Sequence, residues 1–395
     1  MKALSGVRVL DLTRALAGPY CTLMLGDYGA DVIKIELPGR GDDTRHWGPP
    51  YIDGESAYFL SINRNKRSLT LNLKDPAGRE VFMRLARNAD VVVENFTPGV
   101  VNRLGIDYEA VKAENPRIVY SSISGFGQTG PYREKPAYDQ MMQGLGGIMS
   151  LTGDPDGQPQ KTGVALADIG AGMLAAYAVM TALFHRERTG VGQYIDVSML
   201  DLQVAWLTYQ AATYFATDTP PPRVGAAHPN LVPYQAFKCA DGKYINVAVG
   251  NERFWQRFCK ALGREDLAEM PEYAQNRDRV KNRDQLVALL QQEFDTRSTD
   301  RWVDILEEAG VPCGPINDLA DVFSDPQVKA RDMLLEVQHP SAGKIKQTGI
   351  PIKFSATPGS IDSPPPLLGQ HSREILLELG YSQDEVEALE QQEVI

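Results

Sequence analysis

One acidic side chain, Asp168, lies among apolar and small residues in the segment KTGVALADIGAGMLAAYAVMTALFH. A carboxylate with the reference pKa of about 3.9 is ionised at neutral pH without help from a base, so Asp168 could act as a nucleophile. Its small neighbours, such as Gly170 and Gly172, would let a bulky thioester approach. Because a long helix should begin here, Asp168 could equally be an N-cap whose carboxylate accepts backbone N–H bonds. Both roles could hold at once.

A second candidate is the basic cluster in RNKRSLTLNLK. Arg64, Lys66, Arg67 and Lys74 fall within a short stretch of a chain whose formal net charge is −11. Such a cluster is typical of a solvated face, or it could bind several phosphate groups together with Arg103. The acidic balance of the whole chain argues against nucleic acid as a partner, because binding to nucleic acid needs a broad basic surface.

Several common motifs are absent or misplaced. The GFGQTG segment at residues 125–130 matches GxGxxG, but Pro131 follows at once, so the helix that a dinucleotide site needs is not expected. The sequence has no GxxxxGK[ST], HExxH or GxSxG motif. Its 5 histidines and 4 cysteines lie far apart, so neither a metal site nor a cysteine redox motif is expected.

The composition indicates a globular protein. Of 395 residues, 43% are hydrophobic and 23% are charged. The uncharged run at residues 169–184 is shorter than the roughly 20 residues that cross a membrane, which predicts a buried helix and no membrane association. The N-terminal segment MKALSGVRVLDL lacks the apolar stretch of a signal peptide, so we expect a cytoplasmic protein.

The spacing of apolar residues predicts βαβ alternation in the first 125 residues. Runs such as DVVVENF and RIVYSSIS are apolar nearly throughout, which is typical of a parallel sheet covered on both faces. Ligands of such sheets lie beyond the carboxyl ends of the strands. Strands are predicted at 7–12, 30–36, 68–73, 90–96, 117–124 and 192–198, and helices at 19–29, 76–89 and 167–188.

Proline-rich segments suggest the domain boundaries. We predict a large Rossmann-like α/β domain at residues 1–216, a linker at 217–225 and a small α+β domain at 226–325. A return linker and C-terminal segment at 326–395 would pack on the large domain. Within the small domain, residues 234–249 should form a hairpin around Asp241-Gly242.

Over nearly its whole length the chain resembles the family III CoA-transferases, which include formyl-CoA transferase and carnitine CoA-transferase. The resemblance implies a ring-shaped chain that forms an interlocked homodimer, with acyl-CoA and carboxylates as substrates and no permanently bound cofactor. The blocks that carry it are, in order, VRVLDLTRALAGP, GDYGADVIKIE, NKRSLTLNLK, DVVVENFTPGV, LGIDYE, SSISGFGQTGP, the Asp168 segment, RTGVGQYIDVSM, GVPCGPI and PLLGQHSREIL.

The resemblance identifies Asp168 with the catalytic aspartate of the family. Its carboxylate would attack a donor acyl-CoA, such as succinyl-CoA, to form an aspartyl anhydride and free CoA thiolate. The thiolate would then form an aspartyl-CoA thioester, from which CoA passes to a carboxylic acid acceptor. Because one thioester replaces another, neither ATP nor a metal is needed.

The resemblance also places the substrates. Leu16 replaces a glutamine of formyl-CoA transferase, and the tetraglycine loop of that enzyme is absent from residues 226–250, so formate and oxalate are not expected substrates. The positions that match CoA contacts of the family are Ala15, Ala17, Lys74, Asn95, Phe96, Arg103, Leu104 and Tyr138. The candidate substrate pocket consists of Leu16, Trp47, Asp139 and His228.

Two alternatives remain at this point. α-Methylacyl-CoA racemases share the fold and an aspartate near Asp168, but they need an acid/base pair that includes a histidine after the GFGQxGP motif. Tyr138 lies where that histidine would be expected, which favours a transferase. A non-catalytic acyl-CoA-binding subunit would need a damaged nucleophile, whereas Asp168 is intact.

Overall fold

Six parallel strands form the central sheet of the computed structural model, which describes all of residues 1–395. The remaining strands form a three-stranded antiparallel sheet and two hairpins. In chain order the strands are β1 (Arg8–Asp11), β2 (Asp31–Glu36), β3 (Tyr51–Ile52), β4 (Glu55–Ser56), β5 (Lys66–Thr70), β6 (Val91–Glu94), β7 (Val119–Ser124), β8 (Tyr194–Ser198), β9 (Tyr234–Lys238), β10 (Tyr244–Ala248), β11 (Cys313–Pro315), β12 (Leu334–His339) and β13 (Gly343–Thr348).

Nineteen α-helices connect and cover these strands, and a 3₁₀ turn spans Asp43–His46. The helices are α1 (Ala17–Asp27), α2 (Ala57–Ile62), α3 (Pro76–Arg87), α4 (Val100–Leu104), α5 (Tyr108–Glu114), α6 (Asp139–Leu145), α7 (Ile148–Leu151), α8 (Leu166–Thr189), α9 (Met199–Trp206), α10 (Thr208–Thr217), α11 (Glu252–Leu262), α12 (Glu265–Glu269), α13 (Asn276–Lys281), α14 (Arg283–Phe294), α15 (Thr299–Glu308), α16 (Leu319–Ser324), α17 (Pro326–Ala330), α18 (Ser372–Glu378) and α19 (Gln383–Gln391).

The order of strands in the central sheet is β5-β2-β1-β6-β7-β8, and every neighbouring pair is parallel. Counted along the chain, this is the 3-2-1-4-5-6 order of a doubly wound Rossmann-like sheet, so the predicted α/β class with a parallel sheet is confirmed. The order reverses between β1 and β6, where Val9 pairs with both Val32 and Val91. A crevice for ligands is expected beyond the carboxyl ends of these two strands.

Both faces of the sheet are buried, as the apolar runs predict. On one face Val9, Val91 and Val119 pack in a core with residues of α1 and α8. On the other face Leu10 and Val92 pack with residues of α3, α5, α18 and α19. Because both faces are covered, the side chains that alternate between them are buried, and polar ones such as Asp11 and Ser121 are buried as well.

Helix α8 passes close to α1 because small residues line the contact. A Cβ added at Gly172 would collide with the carbonyl oxygen of Ala17, so only glycine permits this approach. By length and composition alone, α8 could cross a membrane, since an 18-residue window has a mean hydropathy of 1.6. Half of that window is buried in the structure, as in the core helix of a globular protein.

The chain divides into two compact units. The first comprises Met1–Ile148, Lys161–Ala212 and Gln327–Ile395, and the second comprises Met149–Gln160 and Thr213–Pro326. The second unit contains residues 149–160 and 213–216, which the sequence analysis placed in the large domain, and residues 217–225, which it treated as a linker. Within the second unit, the Arg223 guanidinium donates to the carbonyl oxygens of Asp154 and Gly157, which ties residues 149–160 to the proline-rich stretch.

The second unit has its own core. Its hairpin of β9 and β10 turns at Asp241-Gly242, and β11 adds to β10 in the antiparallel sense. Aromatic side chains of the helices pack on this sheet. Phe237 stacks on Phe294 with ring centroids 4.6 Å apart, and the fully buried Trp302 contacts the same Phe294 ring at 5.1 Å.

Candidate active site

The loop after β1 lies at the switch point of the sheet and carries three of the predicted site residues. Ala15 has a left-handed backbone with φ of 64°, an unusual conformation for a residue with a Cβ. Leu16 and Ala17 follow at the start of α1 and are buried. Because the Ala17 carbonyl contacts α8 at Gly172, the loop lies about one helical turn from Asp168.

Asn95 and Phe96 come directly after β6, on the other side of the switch point. The Asn95 amide is bound to the first loop: Oδ1 accepts from Arg14 N at 2.9 Å, and Nδ2 donates to Arg14 O at 2.8 Å. The Arg14 guanidinium lies over the Phe96 ring, 5.5 Å from its centroid. The structure therefore brings Ala15, Asn95 and Phe96 together at the expected crevice.

Asp168 lies in the first turn of α8 but is not the residue that caps this helix. Asp139, at the start of α6, supplies the cap instead: its Oδ1 accepts from Ala167 N at 2.8 Å and, more weakly, from Asp168 N at 3.4 Å. Its Oδ2 accepts from Gln143 Nε2 at 2.7 Å. The N-cap interpretation of Asp168 is therefore wrong, and its carboxylate has no hydrogen bond or ion pair within the chain.

The surroundings of Asp168 change its protonation. Burial, with a further contribution from the charge of Asp139, raises the pKa of Asp168 to about 7. The carboxyl is therefore only partly ionised near neutral pH, in contrast to the expectation from the reference pKa. Once ionised, a desolvated carboxylate of raised basicity is a stronger nucleophile than a solvated one.

Tyr58 adds a hydroxyl near the two carboxyl groups. Burial, followed by the charges of Asp168 and Asp139, raises the pKa of Tyr58 to about 12, so its hydroxyl stays protonated and can donate a hydrogen bond. The ring of Trp47 contacts the Tyr58 ring edge-on, with centroids 5.1 Å apart. Trp47 therefore contacts Tyr58, whose hydroxyl is affected by the charge of Asp168.

A separate small cavity brings three of the predicted CoA contacts together. Lys74, Arg103 and Leu104 line a space of about 170 Å³ between the start of α3 and the end of α4. Arg79 from α3 lines the same cavity. Asp75 lines this cavity too, so three cationic side chains and one carboxylate surround it and leave an excess of positive charge in an otherwise acidic chain.

The rest of the predicted basic cluster is not available to a ligand. Arg64 is buried in an ion pair with Asp27, and Lys66 is fully buried against Asp11. Arg67 pairs with Asp31 and with two glutamates of α18. The interpretation of RNKRSLTLNLK as one phosphate site is therefore wrong, because most of its cations neutralise buried or partly buried carboxylates; only Lys74 lies exposed.

The sequence of the chain matches that of a known group of enzymes. The sequence model described as CoA-transferase family III matches residues 4–372. This chain belongs to CoA-transferase family III. The predicted family and enzyme class are thereby confirmed.

Individual members of the family are similar over nearly their whole length. A succinyl-CoA:glutarate CoA-transferase of Mus musculus is 46% identical over 390 residues, which cover 98% of this chain and 89% of the mouse protein. A succinyl-CoA:mesaconate CoA-transferase of Haloarcula marismortui is 42% identical over 390 residues, covering 96% and 97%. The crystal structure of a CAIB/BAIF family protein from Brucella suis aligns with a TM-score of 0.85 at 46% identity, covering 96% of this chain and 99% of that one.

Two further predicted site residues of this transferase are Tyr138 and His228. The Tyr138 side chain is exposed and precedes α6, next to the capping residue Asp139. His228 belongs to the second unit, where its ring contacts Tyr234 at 5.3 Å and its Nδ1 accepts from Asn230 N. Burial and the charge of Arg283 lower the pKa of His228, so the ring is neutral near pH 7.

Sequence reasoning missed Arg79 and Tyr58. Arg79 lies on the first turn of α3, five residues after Lys74. This spacing across the start of a helix could have indicated that the two side chains lie close together. Tyr58 carried no such signal. It lies far from Asp168 along the chain, and only the packing of α2 brings its hydroxyl near the α8 terminus.

Proposed function

We propose that this transferase moves CoA from succinyl-CoA to a dicarboxylic acid, with Asp168 as the nucleophile. The observation that carries the proposal is the partly buried, unpaired carboxylate at the start of α8, which Asp139 leaves free by capping the helix. The names of the mouse and Haloarcula relatives support succinyl-CoA as the donor and glutarate or mesaconate as acceptors.

The reaction would proceed by four acyl transfers. A carboxylate oxygen of Asp168 attacks the succinyl carbonyl carbon, the C–S bond breaks, and a mixed anhydride and CoA thiolate form. The thiolate attacks the aspartyl carbonyl, which releases succinate and leaves an aspartyl-CoA thioester. The acceptor carboxylate attacks this thioester, and the expelled thiolate then attacks the acceptor acyl carbon, which regenerates the Asp168 carboxylate. Protons and electrons balance without a permanently bound cofactor.

We further propose that coenzyme A extends from the cationic cavity to the switch point. Lys74, Arg79 and Arg103 would bind its phosphate groups, since cationic side chains that converge on one cavity favour phosphate. The pantetheine arm would then pass Phe96 and the loop at Ala15 to reach Asp168. The Tyr58 hydroxyl would donate to the carbonyl oxygen on which negative charge develops.

A second copy of the chain would cover the outer face of α8. Met173, Tyr177, Met180 and Phe184 follow one another at helical spacing and are 39% to 69% exposed, although all four are large and apolar. Apolar surface arranged in a stripe marks an interaction face. It supports the ring-shaped, interlocked homodimer that the family resemblance implies. Sedimentation or light scattering is expected to give twice the 43.5 kDa chain mass, and a stable 43.5 kDa species would contradict the dimer.

We propose a reducing compartment such as the cytoplasm for this enzyme. All four cysteines are free, and three of them, Cys21, Cys239 and Cys259, are buried. A chain with this pattern gains nothing from an oxidising environment.

Incubation with succinyl-CoA and a panel of acids tests the proposed reaction. Mass spectrometry is expected to detect new CoA thioesters with glutarate and with mesaconate, and little product with formate or oxalate. Equal amounts of succinate and new thioester should appear, because CoA is exchanged rather than hydrolysed. Release of free CoA without a new thioester would instead indicate a hydrolase, and an altered configuration of a 2-methylacyl-CoA would indicate a racemase.

A further inference from the structure

The backbone of the switch-point loop is held by side chains rather than by other backbone groups. Thr13 N donates to Asp11 Oδ1 at 2.9 Å, and Thr13 O accepts from Lys34 Nζ at 2.9 Å. Both backbone polar groups of Arg14 are bound by the Asn95 amide. Ala15 N donates to Asp42 Oδ1 at 3.3 Å. Thr13 is buried, Arg14 is exposed and Ala15 is half-buried, and in all three residues a side chain binds the backbone and so fixes the path of the loop.

Lys34 and Asp42 connect two of these anchors. Lys34 Nζ donates to Asp42 Oδ2 at 2.8 Å, and both side chains are completely shielded from solvent. Asp42 is itself held by Thr44, whose backbone N and Oγ1 donate to Oδ1 at 2.9 Å and 2.8 Å. The pair therefore forms hydrogen bonds with the loop on both sides of Arg14: Lys34 binds the Thr13 carbonyl and Asp42 binds the Ala15 amide.

Further charges surround this pair. Lys66 Nζ donates to Asp11 Oδ2 and to the carbonyl oxygen of Pro19 in α1, both at 3.0 Å. Burial lowers the pKa of Lys34, but the charges of Asp42, Asp11 and Glu36 outweigh it and hold the pKa above its ordinary value. Lys34 is therefore a permanent cation inside the protein.

Such an arrangement is a poor way to gain stability alone. The free energy needed to remove two charges from water is about as large as the free energy gained from their attraction. Proteins in which apolar residues of similar volume replace a buried ion pair are often at least as stable. An ion pair instead fixes the relative positions of its two side chains, because they must lie at hydrogen-bond distance in a defined orientation. The left-handed conformation of Ala15 needs such support, since it is unfavourable for a residue with a Cβ.

We propose that the Lys34–Asp42 pair is a positioning device for the reaction: it holds the Thr13–Ala15 backbone in the shape that receives the acyl-CoA beside Asp168. The inference rests on the proposed function, because it takes Ala15 and Ala17 as neighbours of the bound coenzyme. Lys34 and Asp42 themselves contact no substrate. They act through the loop, whose end is fixed against α8 where Gly172 meets the Ala17 carbonyl.

The test replaces the pair without leaving one buried charge behind. The Lys34→Met/Asp42→Asn variant removes the donor to Thr13 O and keeps an oxygen at position 42 for Ala15 N. We expect kcat/KM for succinyl-CoA to fall about 100-fold, the size of effect that displacement by about an ångström produces. The change should lie mainly in the KM for succinyl-CoA and in the calorimetric Kd for CoA, while the KM for glutarate changes less than about threefold.

A matched control is available in the same unit. Arg64 and Asp27 form another buried ion pair, which binds Gln347, Thr348 and Asn65 and does not contact the switch-point loop. Arg64→Met/Asp27→Asn should lower the unfolding temperature to a similar extent but leave kcat/KM for succinyl-CoA within about twofold. A merely structural role of Lys34 would make the two variants alike in both measurements.

The outcomes separate this inference from the proposed function. A folded Lys34→Met/Asp42→Asn enzyme with unchanged KM and CoA affinity would overturn the positioning role, as would an equal loss in the control. If wild type neither binds CoA nor exchanges it, the proposed function fails first. Should the double variant not fold, Asp42→Asn alone serves as the second variant, because it breaks the ion pair while Asp11 and Glu36 remain as counter-charges for Lys34. A rise in the KM for succinyl-CoA is expected here too, and its absence would overturn the inference.

Discussion

Asp168→Asn is expected to lower kcat for CoA transfer by at least about four orders of magnitude, because an amide cannot form the aspartyl anhydride. CoA affinity should stay within about twofold, since the cationic cavity of Lys74, Arg79 and Arg103 is untouched. Stopped assays with succinyl-CoA and glutarate measure the first effect, and calorimetry with CoA measures the second.

Isotope labelling connects this loss to the mechanism. In each cycle the acceptor leaves one of its carboxylate oxygens on Asp168, because the final thiolate attacks the acceptor carbon of the anhydride. Turnover with ¹⁸O-labelled glutarate should therefore add ¹⁸O to the peptide that contains Asp168 in the wild-type enzyme. Folded Asp168→Asn enzyme, treated in the same way, is the control for labelling that does not depend on turnover. Turnover by Asp168→Asn, or an unlabelled peptide after many wild-type cycles, would rule out aspartyl catalysis.

Measurements of unfolding show whether the Asp168→Asn variant is folded, and they also test how the stability of the protein depends on pH. The raised pKa of Asp168 means that the native state binds a proton that the unfolded chain has already lost between about pH 3.8 and 7. The contribution of this group to stability is thus fully present below pH 3.8 and is lost as the pH rises through 7. Asp168→Asn should consequently be more stable than wild type above pH 7, by on the order of a few kcal/mol in urea unfolding.

The second large effect is on the pH profile of kcat/KM for succinyl-CoA. Only the ionised form of Asp168 attacks, and its pKa is raised to about 7. The kcat/KM for succinyl-CoA should therefore rise about tenfold per pH unit below pH 7 and become constant above it. An Asp168 with an ordinary pKa would instead give a flat profile from pH 5.5 to 8.5, which would contradict the effect of burial.

Asp139→Asn provides the matched variant for this profile. It removes the second negative charge near Asp168 but keeps an oxygen that can accept from Ala167 N. The inflection in the pH profile should move to lower pH, because the charge of Asp139 disfavours ionisation of Asp168. The phosphate groups of CoA also titrate, but they do so equally with both enzymes. An unchanged inflection would show that Asp139 acts only as the helix cap.

Many elements of the fold follow from local sequence. The strands around Val91–Glu94 and Val119–Ser124 were predicted because DVVVENF and RIVYSSIS are largely apolar, which is typical of strands covered on both faces. Helix α8 was predicted at nearly its observed bounds, with Asp168 in its first turn. Proline-rich segments, by contrast, placed the domain boundary only coarsely, because the contacts of Arg223 with Asp154 and Gly157 join segments that are distant in sequence.

The properties of the candidate site depend on tertiary structure. The parallel sheet, the family and the isolated aspartate could be predicted from the chain alone, because periodicity and ordered motif blocks are local records of burial and ancestry. The folded molecule was needed to show that Asp139 caps α8, that Asp168 titrates near neutrality, and that Lys34, Arg64 and Lys66 neutralise buried carboxylates. A pKa or an ion pair depends on desolvation and on charges brought close from distant segments, and no spacing along the chain encodes those distances.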